Sequence, residues 1–172
     1  MITELEYIAY FENLATQSKQ INHNPPAARA FFYIPEEWNL AEIDKALRSS
    51  KIAPMFLLDS LAGIFTDEQS ENHVQMINAQ FTILDMVDVG NVENIRAARD
   101  KCLDIGLNFL TRIKKDSRKR EMITPLTRFT INQVQYNPVG PMAIKHYGYT
   151  FRFKIACPFG FTVDSATWRD IT

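Results

Sequence analysis

Residues 147–157 read YGYTFRFKIAC, and their alternation decides the fold. Tyr149, Phe151, Phe153, Ile155 and Cys157 fall on one side, and Thr150, Arg152, Lys154 and Ala156 on the other. Successive side chains of a strand point to opposite faces, so this pattern predicts a strand in a sheet with one buried face. The segment TRFTINQVQY (127–136) reads as its hairpin partner. Between them, NPVGPMAIKH (137–146) is long for a tight hairpin and holds two Pro and one Gly, which predicts a protruding loop.

The element needed to cover the apolar face lies upstream. Over about 92–115, Ile95, Ala98, Cys102, Ile105, Phe109 and Ile113 recur at steps of three and four. Leu103, Leu107 and Leu110 widen the stripe, which hints at two contacted surfaces, one of them a neighbouring subunit. Lys114, Lys115, Arg118, Lys119 and Arg120 sit at or beyond the end of this helix, where cations complement its dipole.

Before that helix, Val74 to Val87 reads as a long strand. Ile77, Ala79, Phe81 and Ile83 alternate with Asn78, Gln80 and Thr82, and Asp88, Gly90 and Asn91 close it. TDEQSEN (66–72) is a polar loop. Ala53 to Phe65 reads as a buried strand kinked at Gly63, with a helix as the alternative. A short amphipathic helix over 39–50 starts at Asn39 with Glu42 and places Leu40, Ile43, Ala46 and Leu47 on one face. RAFFYI (29–34) is a short strand ended by Pro35. The first helix covers about 3–20, with Thr3 and Glu6 as a capping box and Leu5, Ile8, Phe11 and Leu14 or Ala15 at helical spacing. After Pro158, Phe159, Phe161 and Trp168 mark a tail that docks on this domain or a neighbour.

The order of elements predicts one α+β domain over 1–172, with 158–172 as the docking tail. Its sheet is mostly antiparallel, and the long amphipathic helix and shorter helices pack on one face. The composition fits a soluble globular protein. Net charge is −1, without the basic excess of a global nucleic-acid binder. Two cysteines are too few for a disulfide framework and suit a reducing compartment. The start of the chain does not read as a signal peptide, and no window is apolar enough for a membrane span, so a cytoplasmic protein with no membrane partner is expected.

Motifs for chemistry are sparse. There is no GxGxxG and no GxxxxGK[ST], and six Gly leave little for a phosphate cradle, so no cofactor is expected. His23, His73 and His146 are far apart, and Asp85 with Asp88 suits a turn better than a cation, so no metal is expected. Cys102 and Cys157 fall on buried stripes and read as core residues rather than nucleophiles. A small enzyme would have to gather His146, Asp85 or Cys157 in one pocket. KKDSRKR (114–120) reads either as a solvated helix end or as a contact for nucleic acid or an acidic protein. A face of Thr150, Arg152 and Lys154 offers a second electrostatic contact.

In its order of elements, the chain resembles the tail-terminator and head–tail completion (neck) proteins of tailed bacteriophages and related contractile particles. VQMINAQFTILDMVD (74–88), ENIRAARDKCLDIGLNFLTRI (93–113), FTINQVQY (129–136) and YGYTFRFKIACPF (147–159) carry the resemblance. The helix at 39–50 and the segment 160–172 are additions to that pattern. The resemblance implies a structural protein, not an enzyme, that forms a homo-oligomeric ring, often a hexamer, at a neck or tail end of the virion. It would be assembled in the bacterial cytoplasm, and its partners would be itself and neighbouring tail-tube or connector proteins. Nucleic acid is not the favoured partner. Such proteins make contact through loops, termini and sheet edges. The resemblance therefore points to Pro138, Val139, Pro141 and Met142 in the loop and to the basic residues 114–120; Arg152 and Lys154 on their sheet face and Trp168 in the tail are contact candidates read from the residues themselves.

Overall fold

The computed structural model describes residues 1–35, 44, 45, 47, 48, 52–67, 73–88, 91–160, 166 and 167. Two 14-residue strands, β4 (His73–Met86) and β7 (His146–Phe159), pair antiparallel over their whole length, from Met86 opposite His146 to His73 opposite Phe159. Each carries two shorter strands end to end on its other side. Beside β4 lie β2 (Met55–Asp59) and β3 (Gly63–Asp67); beside β7 lie β5 (Arg128–Phe129) and β6 (Gln135–Met142). A further strand, β1 (Phe31–Ile34), joins β2 in parallel. The described sheet thus has seven strands and is mixed, with every pairing but one antiparallel.

The helices α1 (Glu4–Gln17) and α2 (Val92–Lys119) pack on the same face, giving an α+β protein. Their contact is built from rings. Phe81 on β4 stacks on Phe56 and Phe151, with ring centroids at 4.8 and 5.0 Å, and Phe109 of α2 sits 4.9 Å from Phe56. Phe11 of α1 reaches Phe56 and Phe153. Gly106 lets α2 lie this close: a Cβ there would fall 2.0 Å from the Phe151 ring. The opposite face carries a smaller cluster of Phe32, Met55, Leu57 and Leu84. Leu47 packs with it, in a stretch where Asp44, Lys45, Leu47 and Arg48 are helical. The other residues of the helix expected over 39–50 lie outside the described residues.

Local chemistry sets the helix ends. Thr3 caps α1, its hydroxyl accepting from the Glu6 amide while Glu6 accepts from the Thr3 amide at 2.9 Å, so the capping box forms as expected. The helix stops at Gln17, short of the expected 20, because Ser18 turns extended. Just before α1, the Ile2 amide donates to Gln75 Oε1 at 2.6 Å and Gln75 Nε2 donates to the Ile2 carbonyl at 3.2 Å, which ties the entry of the helix to β4. The helix α2 runs four residues past the expected 115 and ends where Arg120 adopts the left-handed region, φ 63°.

That extra turn is held by a buried carboxylate. Asp116 accepts from Arg112 Nε at 2.8 Å and from the Tyr10 hydroxyl at 3.2 Å, joining α2 to α1. Asp116→Ala would strand the hydroxyl of half-buried Tyr10 and unpair Arg112. The expected loss is about 2 kcal/mol, read as a lower urea midpoint at unchanged slope. A midpoint within error of the parent would show that this link contributes nothing to stability.

Three readings of the sequence are corrected. The apolar run 53–65 is two strands with a step at Ser60–Ala62, and β3 is exposed rather than buried, Ile64 at 59% and Phe65 at 55%. The arm expected over 127–136 is broken by a 3₁₀ turn at Ile131–Gln133, and its regular part begins only at Gln135. Most of the expected loop 137–146 is therefore strand. The turn is confined to 143–145, with Ala143 and Ile144 at positive φ (45° and 76°). Pro138 and Pro141 are compatible with this because β6 is an edge strand, where a missing N–H on the outer side breaks no ladder bond.

Candidate interaction surface

On α2, positions 107, 110, 111, 114, 115 and 118 follow each other at steps of three or one, forming one broad stripe. The 3₁₀ turn and the start of β6 face that stripe and bring up Ile131, Val134 and Tyr136. Between the two walls runs a groove of about 860 Å³, lined by Leu107, Leu110, Ile131, Val134 and Tyr136 and rimmed by Lys114, Lys115, Arg118 and Lys119. Leu107, Ile131 and Tyr136 are all exposed. The far wall is fixed to the helix, since the Phe129 amide donates to Ser117 Oγ at 3.0 Å and the Phe129 ring meets Phe153 edge-on at 5.5 Å.

Four of the five basic residues singled out in the sequence thus line one groove. Lys114, Lys115 and Arg118 have no carboxylate partner among the described residues, while Lys119 Nζ is 3.9 Å from Glu121 Oε1. Arg120 is not among the lining residues. It ends the helix, its amide donating to the Asp116 carbonyl. Sequence reasoning found the cations but missed the apolar half of the groove. A regular strand over 127–136 would put Ile131 and Tyr136 on opposite faces, so the pattern alone does not bring both to α2.

The other expected contacts are scattered. Pro138 and Pro141 lie exposed on β6. Val139 and Met142 are only half-buried and pack against the chain's own Leu57 and Leu84 cluster, so much of their surface is already used. Trp168 lies outside the described residues. Arg152 is exposed but committed: its Nε donates to Gln80, whose amide donates in turn to Asp59. Burial raises the Asp59 carboxyl above its ordinary range, with Gln80 and Arg152 opposing. Thr150 lies on the same face as Arg152, as expected, but is buried there and bonded to Thr82 at 2.7 Å, so it offers no exposed contact. Half-buried Lys154 and Arg152 border a shallow polar hollow of about 620 Å³ with Asn78, Asn132 and Gln135.

The residues weighed for catalysis do not converge. His146 and Cys157 lie eleven positions apart on β7, roughly 36 Å at strand spacing. Asp85 sits near His146 on the neighbouring strand but is paired with Lys101 at 2.7 Å. His146 is buried, and burial holds its pKa below the ordinary value. Cys102 is fully buried, and burial pushes its thiol up to about 12 with Asp85 adding to the rise, so it stays protonated near neutrality.

Fold and surface together define an α+β protein, a long helix on a mixed sheet with a basic, apolar groove beside the helix. No described helix is long and apolar enough to cross a membrane. No protein-family model matches the chain, and no curated protein matches it.

Proposed function

We propose that this chain is a ring-forming assembly protein of a phage or phage-tail-like particle, a tail terminator or head–tail connector. It acts by protein–protein contact and carries out no catalysis. The partition of its exposed apolar surface is the observation that supports this reading most. One patch is the groove beside α2; another is the edge strand β3, where Ile64 and Phe65 stand exposed and Phe65 meets Phe159 at 4.9 Å. Ring closure and docking on a neighbouring protein both need separate contact patches on each copy. A hexamer in the virion, touching tail-tube or connector proteins, is the form the resemblance suggests. The edge of β6 adds a constraint. With Pro138 and Pro141 lacking donors, contact there runs through side chains rather than through an added strand.

Light scattering on the purified protein tests the ring. The expected result is one closed species whose copy number holds over a hundredfold range of concentration. A monomer throughout, or a ladder of open chains that lengthens with concentration, would overturn it.

One observation favours a second reading, a nucleic-acid accessory role. Exposed Tyr136 beside Lys114, Lys115 and Arg118 has the makeup of a base-stacking platform. This reading predicts binding of a labelled oligonucleotide that falls steeply with salt and disappears when those cations are neutralised. The assembly reading predicts no such binding.

A further inference from the structure

We infer that the groove between α2 and β6 receives the outer stripe of α1 from a second copy of this chain, in a head-to-tail contact. The inference rests on the ring reading for its expectation that copies associate, but it names which surfaces meet.

Charge is the first support. The net charge is only −1, yet it is strongly partitioned. Segment 112–120 holds six cations and one carboxylate, and that carboxylate, Asp116, is buried under Arg112. In contrast, α1 holds Glu4, Glu6 and Glu12 and no Lys or Arg. Lys114, Lys115 and Arg118 at the groove rim lack carboxylate partners within the described chain, whereas a second copy's α1 brings Glu4, Glu6 and Glu12, which meet no Lys or Arg among the described residues of their own chain.

Apolar matching is the second. Leu5 is 80% exposed, the most exposed of the large hydrophobic side chains described. Leu5 and Glu12 stand seven residues apart, on one stripe of the helix. The groove offers Leu107, Ile131 and Tyr136 to such a side chain, with the cations just beyond.

Geometry is the third. Tyr10 turns toward α2, where its hydroxyl meets Asp116. Leu5 is five residues from Tyr10, about 140° around the helix, and so faces away from α2. The groove lies on the opposite flank of α2, toward β6. The two surfaces cannot meet within one copy, and each copy keeps one of each, the condition for a heterologous contact that repeats. Their lengths agree as well. From Leu107 to Lys119 the groove wall rises roughly 18 Å, and the 14 residues of α1 span roughly 21 Å.

Cross-linking tests the pairing. Leu5→Cys and Ile131→Cys are made separately; the native Cys102 and Cys157 are buried and silent to a short bismaleimide. Mixed, the two variants are expected to give a cross-linked dimer in at least tenfold higher yield than either alone or than Leu5→Cys mixed with Asn78→Cys. A second pair reads the charges. Lys115→Glu with Arg118→Glu, and Glu4→Lys with Glu12→Lys, should each abolish self-association, and mixing the two proteins should restore it. Equal cross-linking in the unmixed samples, or association unchanged by reversal, would overturn the inference. The outcomes separate the two readings. A closed ring without the mixed cross-link sinks this surface and spares the ring; the cross-link in an open chain does the reverse; neither sinks both. A groove that instead holds a labelled DNA oligonucleotide, with no cross-link, is a polyanion site and overturns the inference.

Discussion

Gly148→Ala is expected to lower stability by about 3 kcal/mol or more, a large fraction of what holds a domain of this size. Gly148 is the third residue of β7 and lies between β4 and β6, opposite Leu84 on one side and Val139 on the other. A Cβ built there falls 1.8 Å from the carbonyl oxygen of Ile83. The obstacle is backbone, not the tip of a flexible side chain, so no rotamer change relieves it. The two central strands would have to separate locally, breaking ladder bonds that nothing else satisfies. Chemical denaturation measures the loss, and amide exchange should show it concentrated at Ile83, Leu84 and their partners on β7. A change under 1 kcal/mol would show that the strands do not pair this closely.

Phe81→Ala should cost about 4 kcal/mol by a different route. Phe81 is fully buried and touches rings from two other strands and one helix: Phe56, Phe109, Phe151 and Phe153. Its removal leaves a cavity at the one point where all of these meet. The neighbours are held by their own stacking and cannot collapse far into the space. Phe81→Leu, which keeps much of the volume, should recover more than half of the loss. A thermal scan comparing both variants decides the point, and equal midpoints for the two would mean that ring stacking, not volume, sets the cost.

The elements legible in the sequence are those with one dry face and one wet face. The strands β4 and β7 alternate because α1 and α2 cover one side of the sheet, and the stripe of α2 recurs because it covers them in return. Edges were harder to read. Ile64 and Phe65 look like core residues by composition, yet β3 lies at the margin of the sheet and leaves them exposed. Pro138, Gly140 and Pro141 signal a loop, but an edge strand tolerates what a central strand cannot. The groove was half legible. Its cations form a visible run, whereas Ile131 and Tyr136 join them only because the chain breaks at 131–133 and returns beside the helix. Position along the chain does not encode that meeting; Ser117 holding the Phe129 amide fixes it.

The two prolines of β6 carry a consequence for life at high local concentration. A flat, donor-rich margin invites stacking of identical chains into fibrils. With donors missing at Pro138 and Pro141, lateral growth along that margin stalls at its first step. Along that margin, crowded molecules are left with contacts between side chains in place of an added strand.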